Sequence, residues 1–401
     1  MLRYSYKAKD LVGNYHSGLV EARDSKEAAN LLRERNYFII NLRIEGDDIL
    51  KEISSKLSRI SYNDMVNFTR QLATMVTAGL TLSESLSILK SQTKKPALLK
   101  MVVAVEEDVQ GGKSFAASVD KYPSVFSPVY RSLIRAGEAS GKLDEVLTRL
   151  ADNLEKSRDF RSKTRGAFVY PAIVVIGMGV VVFIMMTFVI PKLTAMYKDF
   201  GVALPLPTRI LITVSSFFAN FWYVVIIGTF LIIYGFIRWK KSASGQKIWD
   251  KMVLSIPIFG NLIKESTLVE VTRTLSILIG AGIPILEAIE ISEGAVSNVW
   301  YKVALKEVED KVEKGSPLGE PFSENPIFPT ILGQMVSVGE QTGKLDDALI
   351  KLSKYFEGES EVAIKALTTL MEPLIMVILG LGVGFLVISV LLPIYSLTSQ
   401  F

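Results

Sequence analysis

Three long segments without charge constrain the fold of this chain more than any other feature. Residues 168–190 and 210–237 contain no Asp, Glu, Lys or Arg, and no charged residue follows Glu372. Each segment meets the roughly 20 apolar residues that cross a hydrocarbon core about 30 Å thick, whereas a buried helix of a soluble protein accounts for runs of only about 10–14. The sequence therefore predicts three transmembrane helices, at 167–191, 210–237 and 370–394.

Basic residues predict the orientation of these helices. They crowd the start of the first span and the end of the second: Lys156, Arg158, Arg161, Lys163 and Arg165, then Arg238, Lys240, Lys241 and Lys247. The loop at 192–209 has only three basic residues and the tail at 395–401 has none. Because basic residues are retained on the cytoplasmic side, we expect a cytoplasmic N-terminus and a periplasmic C-terminus.

Two parts of the chain repeat each other. Residues 69–79 read TRQLATMVTAG and residues 272–282 read TRTLSILIGAG, while the pattern Gly-Glu-x-x-Gly-Lys-Leu-Asp occurs at 137–144 and again at 339–346. Apolar residues recur at helical spacing through both copies, and each copy runs into a predicted span. The chain therefore contains two copies of one unit, and each copy consists of a helical bundle followed by a membrane helix. The second span has no counterpart and returns the chain to the cytoplasm.

The first 58 residues differ from the rest. Residues 2–8 alternate as a strand does, Asp24 and Ser25 can open a helix, and residues 38–44 indicate another strand. The sequence thus predicts an all-α membrane protein with a small N-terminal α+β module. The predicted parts are a module with linker at 1–58, helical repeats at 59–166 and 238–369, spans at 167–191, 210–237 and 370–394, a periplasmic loop at 192–209 and a tail at 395–401.

Composition and motifs argue against most kinds of catalytic site. The chain has no cysteine, one histidine (His16) and a formal net charge of +4, which favours neither a thiolate metal site nor a nucleic-acid surface. Residues 111–114 read GGKS, but Glu107 stands where a phosphate loop has its first glycine, and residues 137–143 lack its final Ser or Thr. We predict no catalytic, cofactor-binding or metal-ligating residue, and lipid but no nucleic acid as a partner.

The repeated Gly-Glu-x-x-Gly pattern has two interpretations. Gly141 and Gly343 can each end a helix in the left-handed conformation, which makes the pattern a tight packing corner. Alternatively, the two corners are exposed contact sites for a partner protein, formed by Glu138 and Gly141 in the first copy and by Glu340 and Gly343 in the second. The repeated arginines, Arg70 and Arg273, are further candidates for such contact.

Candidates within the membrane come from the first and third spans. Pro171 and Pro373 lie at equivalent positions, and Glu372 precedes the second of them. A carboxylate there is either stabilised by the helix dipole or functional, since ionisable groups near hydrocarbon are rare. Gly380 and Gly384 form a GxxxG pattern, which predicts close helix packing within or between protomers.

At residues 69–79, 137–143 and Glu372–Pro373 the chain resembles the inner-membrane platform proteins of type II secretion and type IV pilus machines. The resemblance covers nearly the whole length. It implies six-helix cytoplasmic bundles, oligomerisation in the bacterial inner membrane, and contact with a hexameric assembly ATPase, pilin-like subunits and accessory platform proteins. Some members bind calcium through the acid equivalent to Glu138 and a second acid at the position of Lys142. Lysine stands there in this chain, so no metal site is predicted.

The resemblance predicts a non-enzymatic platform that couples the ATPase to insertion of pilin-like subunits into a growing filament. It fits a secretion machine and a pilus machine equally. A membrane-tethered helical scaffold unrelated to filaments is the alternative. A transporter would need a polar path, which three spans almost free of charge do not offer.

Overall fold

The computed structural model describes residues 2–10, 15–35, 37–44, 59–192 and 206–398. The predicted linker at 45–58, most of the predicted loop at 192–209 and the last three residues lie outside these ranges. The chain divides into two compact units, Met1–Val119 and Asp120–Phe401.

The first unit begins with the predicted mixed module. Strands β1 (Leu2–Lys9), β2 (Tyr15–Ala22) and β3 (Phe38–Ile44) form an antiparallel sheet in the order β2-β1-β3. Helix α1 (Ser25–Glu34) opens at Asp24, whose Oδ1 accepts a hydrogen bond of 2.8 Å from the Glu27 backbone N–H. Such a cap satisfies one of the free N–H groups at a helix start.

Four helices of the first copy follow: α2 (Tyr62–Thr77), α3 (Leu82–Gln92), α4 (Pro96–Gln110) and the short α5 (Phe115–Asp120). Ser61 with Asp64, and Thr81 with Glu84, form capping boxes that define the starts of α2 and α3. Pro96 opens α4, where its missing N–H costs no helical hydrogen bond. The inner faces of these helices bury apolar side chains, among them Phe68, Leu72, Leu86, Met101, Val105 and Phe115.

The second unit holds the rest of the first copy and the unpaired span. Helices α6 (Pro128–Ser140) and α7 (Leu143–Ala167) complete six helices for that copy. Helix α8 (Val169–Ile184) continues into a π-helical turn at Met185–Val189, and α9 (Leu206–Lys240) is kinked at Phe221.

The second copy repeats this order. After α10 (Ala243–Ser255) come α11 (Phe259–Gly280), α12 (Ile285–Ala295), α13 (Val299–Glu313), the short α14 (Gly319–Glu324), α15 (Thr330–Thr342) and α16 (Leu345–Thr398). Helices α11 and α16 pack along each other and bury residues that include Leu268, Val271, Leu275, Leu349, Leu352 and Phe356. The two short helices, α5 and α14, are six residues each and carry too little periodicity to be recognised in the sequence.

Three stretches of helix have the length and composition to cross a membrane: Leu143–Lys192, Phe221–Lys240 and Leu345–Phe385. Their most apolar windows are almost unburied, at 6, 0 and 11 %, which is expected for helices that face lipid. The prediction of three spans is confirmed. The bent pair α10 and α11 could form a fourth by length alone. We instead assign α11 to the bundle, because it carries Glu265, Glu270 and Arg273 and buries its apolar residues against protein.

No loop separates a bundle from its membrane helix. Helix α16 runs for 54 residues without a break, about 80 Å at 1.5 Å per residue. Only Phe168, at φ −92° and ψ −6°, separates α7 from α8. The division of the sequence near 166 and 369 therefore falls inside continuous helical rods.

Candidate functional site

A cleft of about 330 Å³ lies between the two copies within the second unit. Helix α7 of the first copy forms one wall, and α11 and α16 of the second copy form the other. Basic and acidic side chains are balanced in its lining, which consists of Arg149, Asp152, Asn153, Lys156, Arg273, Ser276, Ile277, Asp346, Asp347 and Ile350. This balance suits contact between helices better than capture of a charged ligand.

At one end of the cleft, Arg149 reaches across the copies. Its Nη1 donates a hydrogen bond of 2.9 Å to the backbone carbonyl of Gly280, at the C-terminus of α11. Carbonyls at a helix end lack helical partners and attract positive charge. A Cβ at position 280 would lie 2.8 Å from Nη1, so glycine makes the approach possible. The equivalent residue of the first copy is Thr77.

In the wall of the cleft, Arg273 is held inside the protein. Its side chain is 7 % exposed and Nη2 lies 2.8 Å from Oε2 of Glu357 on α16. Ser276 Oγ donates to the Asp346 carbonyl at 2.9 Å, so α11 and α16 are joined by two polar contacts. Arg273, predicted as a partner contact, therefore has an internal partner. Arg70, its counterpart, is half-buried on α2.

Glu357 is not among the residues predicted from the sequence, although a signal for it exists. Glu155 occupies the equivalent position of the first copy. An acid and an arginine are thus repeated together, which is the pattern expected of a pair that was duplicated with its fold.

Towards the membrane, one ion pair and one longer-range charge interaction also relate α7 to the second copy. Lys163 Nζ lies 2.6 Å from Glu361 Oε1, and Glu361 raises the pKa of Lys163 above its ordinary value. Burial raises the pKa of Glu270 on α11, and the nearby charge of Arg161 opposes that rise. From Arg149 to Lys163 these contacts extend over roughly 20 Å of α7. The last helix of the first copy is therefore tied to the second copy along much of its length.

The two Gly-Glu-x-x-Gly corners have the same backbone geometry. Gly141 and Gly343 adopt left-handed φ values of 68° and 65°. The N–H of each following lysine donates to the carbonyl five residues earlier, at 2.9 Å in the first corner and 2.8 Å in the second. This closing turn favours glycine. The first glycine of the pattern has a different reason: a Cβ at Gly137 would lie 2.9 Å from Val146, and one at Gly339 would lie 2.8 Å from Ala348.

Glu340 has a local structural role. Its carboxylate accepts hydrogen bonds from the backbone N–H groups of Leu318 (3.0 Å) and Gly319 (3.3 Å), where α14 begins. A carboxylate at that position satisfies free N–H groups and is favoured by the helix dipole. This geometry supports the packing interpretation of the second corner. Glu138 is half-buried at the first corner.

One carboxylate outside the cleft is poorly compensated. Oε2 of Glu265 on α11 is buried and has no hydrogen-bond partner among the described residues. Burial raises the pKa of Glu265, and the charge of Glu359 raises it further. Ionised Glu265 therefore costs the fold free energy.

The GGKS segment at 111–114 is a turn between helices. It follows α4 rather than a strand, with Gly112 at φ 85°. Lys113 Nζ is paired with Asp108 at 2.7 Å, and Ser114 Oγ accepts from the Ala117 N–H at 3.1 Å to cap α5. In the described part of the chain, no group of three or more His, Asp or Glu side chains is placed to hold a metal ion.

The predicted membrane residues differ in exposure. Pro171 is buried, whereas Glu372 and Pro373 are exposed on α16. A Cβ added at Gly380 or Gly384 would meet no atom within 4 Å. No described helix of the same chain therefore packs closely against these glycines. The part of the prediction that still applies is helix packing between protomers.

The chain matches family models along most of its length. The model described as "Type II secretion system (T2SS), protein F" matches twice, at residues 68–191 and 271–393, and the model of that protein's N-terminal domain matches residues 1–43. The double match confirms the duplication. The two matches include the repeated segments at 69–79 and 272–282, and they end close to the predicted ends of the first and third spans.

Curated relatives cover the whole chain. It is 34 % identical to the type IV pilus assembly protein PilC of Thermus thermophilus over 397 residues, 98 % of each chain. It is 33 % identical to PilC of Myxococcus xanthus, over 98 % of this chain and 95 % of the relative. It is 29 % identical to type II secretion system protein F of Vibrio cholerae, over 100 % of this chain and 99 % of the relative. The chain belongs to the type II secretion system protein F family, the inner-membrane platform proteins of type II secretion and type IV pilus systems.

Proposed function

We propose that this protein couples a cytoplasmic assembly ATPase to the insertion of pilin-like subunits into a growing filament, in a type IV pilus or a type II secretion machine. Relatives named for both systems match along the whole chain, which supports a platform role in either. The protein itself contributes no catalysis in this proposal. Its work is mechanical.

The observation that carries the coupling is the continuity of helix from bundle to membrane. Helix α16 is a single helix from the corner at Gly343 to Thr398. A helix resists bending far better than a loop, because every turn is held by backbone hydrogen bonds. Displacement of the second bundle would therefore move the third span. The Lys163–Glu361 contact joins the rods of the two copies just before they reach the apolar segments.

The proposed orientation places both bundles in the cytoplasm, with the C-terminus periplasmic. The basic residues before the first span and after the second support this arrangement. A hexameric ATPase would then reach the bundles directly. Reporter fusions after Lys240 and at Phe401 should give cytoplasmic and periplasmic signals respectively, and a cytoplasmic signal at Phe401 contradicts the arrangement.

The proposed membrane partners are pilin-like subunits, accessory platform proteins and further copies of this chain. Gly380 and Gly384 leave the surface of α16 open to close approach by another helix. Glu372, exposed at the start of the third span, makes no ion pair with any described residue. It is the candidate for a polar contact with such a subunit.

The coupling is tested by making α16 more flexible between the second bundle and the third span. Lys365 and Ala366 are exposed, so substitutions there disturb no core. Glycine at both positions costs about 1 kcal/mol per site relative to alanine and frees the backbone. We expect Lys365→Gly/Ala366→Gly to abolish filament assembly or secretion while the protein still accumulates in the membrane and still co-purifies with the ATPase.

The matched control is Lys365→Ala, which removes the same charge and keeps the helix. It should assemble filaments as the unaltered chain does. Normal assembly with the double-glycine variant would contradict transmission through a stiff α16. Loss of assembly with Lys365→Ala would assign the effect to the lysine instead.

A further inference from the structure

Helix α10 (Ala243–Ser255) has no counterpart among the residues of the first copy that the structure describes. It begins two residues after α9 ends, and the second family match starts only at residue 271. The family match does not include this helix. Its contacts show where it lies.

Aromatic contacts tie this segment to the ends of two membrane helices. The ring of Trp249, in the middle of α10, lies 5.0 Å from that of Phe236 near the end of the second span. The ring of Phe259, just beyond α10, lies 6.1 Å from that of Phe168, where the first apolar segment begins. The end of the second span and the start of the first lie on the same side of the membrane. The chain from Trp249 to Phe259 therefore runs from one span to the other at the level of the membrane surface.

One face of α10 is fixed against the second bundle. Asp250 Oδ2 accepts a hydrogen bond of 2.9 Å from the Val299 N–H at the start of α13. Trp300 Nε1 donates to the Lys247 carbonyl at 3.3 Å. These contacts determine the rotation of α10 about its axis. The opposite face of α10 consequently points away from the second bundle.

The outward face is apolar and has basic residues along one side. Ile248 is 57 % exposed and Met252 is 47 % exposed, and their spacing of four residues places them on one side of the helix. Lys247 and Lys251 are also exposed and lie beside them. Ile256 continues the exposed apolar surface beyond the end of the helix at 40 %.

The lysines in this region form no ion pair with the described part of the chain. Among the described residues, no carboxylate lies within ion-pairing distance of Lys240 and Lys241, just before α10, or of Lys247 and Lys251 within it. Two of them lie over indole rings: Lys240 is 5.0 Å from the Trp249 ring and Lys251 is 5.8 Å from the Trp300 ring. Tryptophan and lysine together are typical of the boundary between headgroups and acyl chains.

We propose that α10 lies flat in the membrane surface, with Ile248 and Met252 inserted below the headgroups and the four lysines bound to anionic phospholipid. In the orientation of the proposed function, on which this inference rests, the surface is the cytoplasmic leaflet. In-plane amphipathic helices bury their apolar face at this depth. Their basic residues strengthen membrane binding by attracting anionic lipids. Because α10 is bonded to the start of α13, it anchors the second bundle to the bilayer beside the spans.

The absence of cysteine from the chain allows a direct test. Single variants Ile248→Cys and Met252→Cys of the full chain are labelled with a small fluorophore and reconstituted into phosphatidylcholine vesicles containing phosphatidylglycerol. Lipids with a nitroxide near the top of the acyl chain then quench probes at that depth. Val338→Cys is the matched control, because Val338 is 54 % exposed on α15 and lies close to the corner at Gly343, roughly 40 Å of helix from the third span.

We expect probes at 248 and 252 to be quenched at least about twofold more than the probe at 338. Equal quenching at the three positions, or strong quenching of the 248 and 252 probes by aqueous iodide, would overturn the insertion of α10. The purified chain is used without ATPase or pilin. A wrong assignment of the platform role would therefore leave this result unchanged.

The role of charge is tested in the Met252→Cys background. Lys247→Glu/Lys251→Glu should reduce lipid quenching in vesicles with phosphatidylglycerol and leave it unchanged in pure phosphatidylcholine. The same quenching with and without the substitutions in anionic vesicles would refute the binding of anionic lipid. Lys365→Ala, a lysine exposed on α16, controls for loss of positive charge elsewhere.

Discussion

Two glutamates on α16 form ion pairs of nearly equal length in very different surroundings. Glu357 lies 2.8 Å from Arg273, with side-chain exposures of 25 % and 7 %. Glu361, one turn further along, lies 2.6 Å from Lys163, with exposures of 48 % and 61 %. If burial rather than distance decides what an ion pair contributes, Glu357→Gln and Glu361→Gln should differ strongly in their effect on stability.

The expected magnitudes follow from that burial. Removing one partner of a buried pair costs about 3–5 kcal/mol, because the other charge loses a compensating group. Since water reaches a quarter of the Glu357 side chain, we expect about 2–3 kcal/mol for Glu357→Gln. At roughly 2–4 °C per kcal/mol for a unit of this size, the melting temperature should fall by about 5–10 °C. Glu361→Gln should leave it unchanged within about 1 °C, because exposed pairs are solvated and screened.

The assay is thermal unfolding of the full chain in detergent, followed by far-ultraviolet circular dichroism. The substitutions share residue type, helix and face, so they are matched controls for each other. Equal shifts in melting temperature for the two variants would refute the reasoning from burial. A shift below about 1 °C for Glu357→Gln would show that Arg273 does not depend on that carboxylate.

Further predictions concern the corner, the uncompensated carboxylate and the glycine at the cleft. Glu340→Ala leaves the start of α14 uncapped and should lower stability by about 1–2 kcal/mol; unchanged melting with loss of filament assembly would favour partner contact instead. Burial and Glu359 raise the pKa of Glu265 in the folded state, so the native protein loses stability as pH rises through that raised value. Glu265→Gln should therefore raise the melting temperature at pH 8 relative to the unaltered chain and leave it nearly equal near pH 4, where the carboxyl is protonated in both states; the reverse order contradicts the assignment. Gly280→Val should displace Arg149 and lower the melting temperature, whereas Thr77→Val, at the equivalent position of the first copy, should change it far less.

The sequence by itself determined the membrane helices, the duplication and the family. Each of these rests on properties that are local along the chain. A charge-free segment of sufficient length crosses a bilayer whatever its neighbours are, because no other structure satisfies its backbone in lipid. The helical repeat is equally visible, since apolar residues recur with the period of a helix and the same letters return at residues 272–282. The corners at Gly141 and Gly343 were also predictable, because left-handed backbone at a helix end favours glycine.

Only the tertiary structure decided which residues act together. Arg273 and Glu357 are 84 positions apart in the chain, and their contact depends on how α11 lies against α16. The same holds for the hydrogen bonds that engage Glu340, whose side chain serves the start of a different helix. The position of α10 follows from the ring contact of Trp249 with the second span, and from that of Phe259, just beyond α10, with the first. Periodicity describes one element at a time, whereas packing brings distant elements together, and the free energy of burial that selects these pairs exists only after the chain has folded.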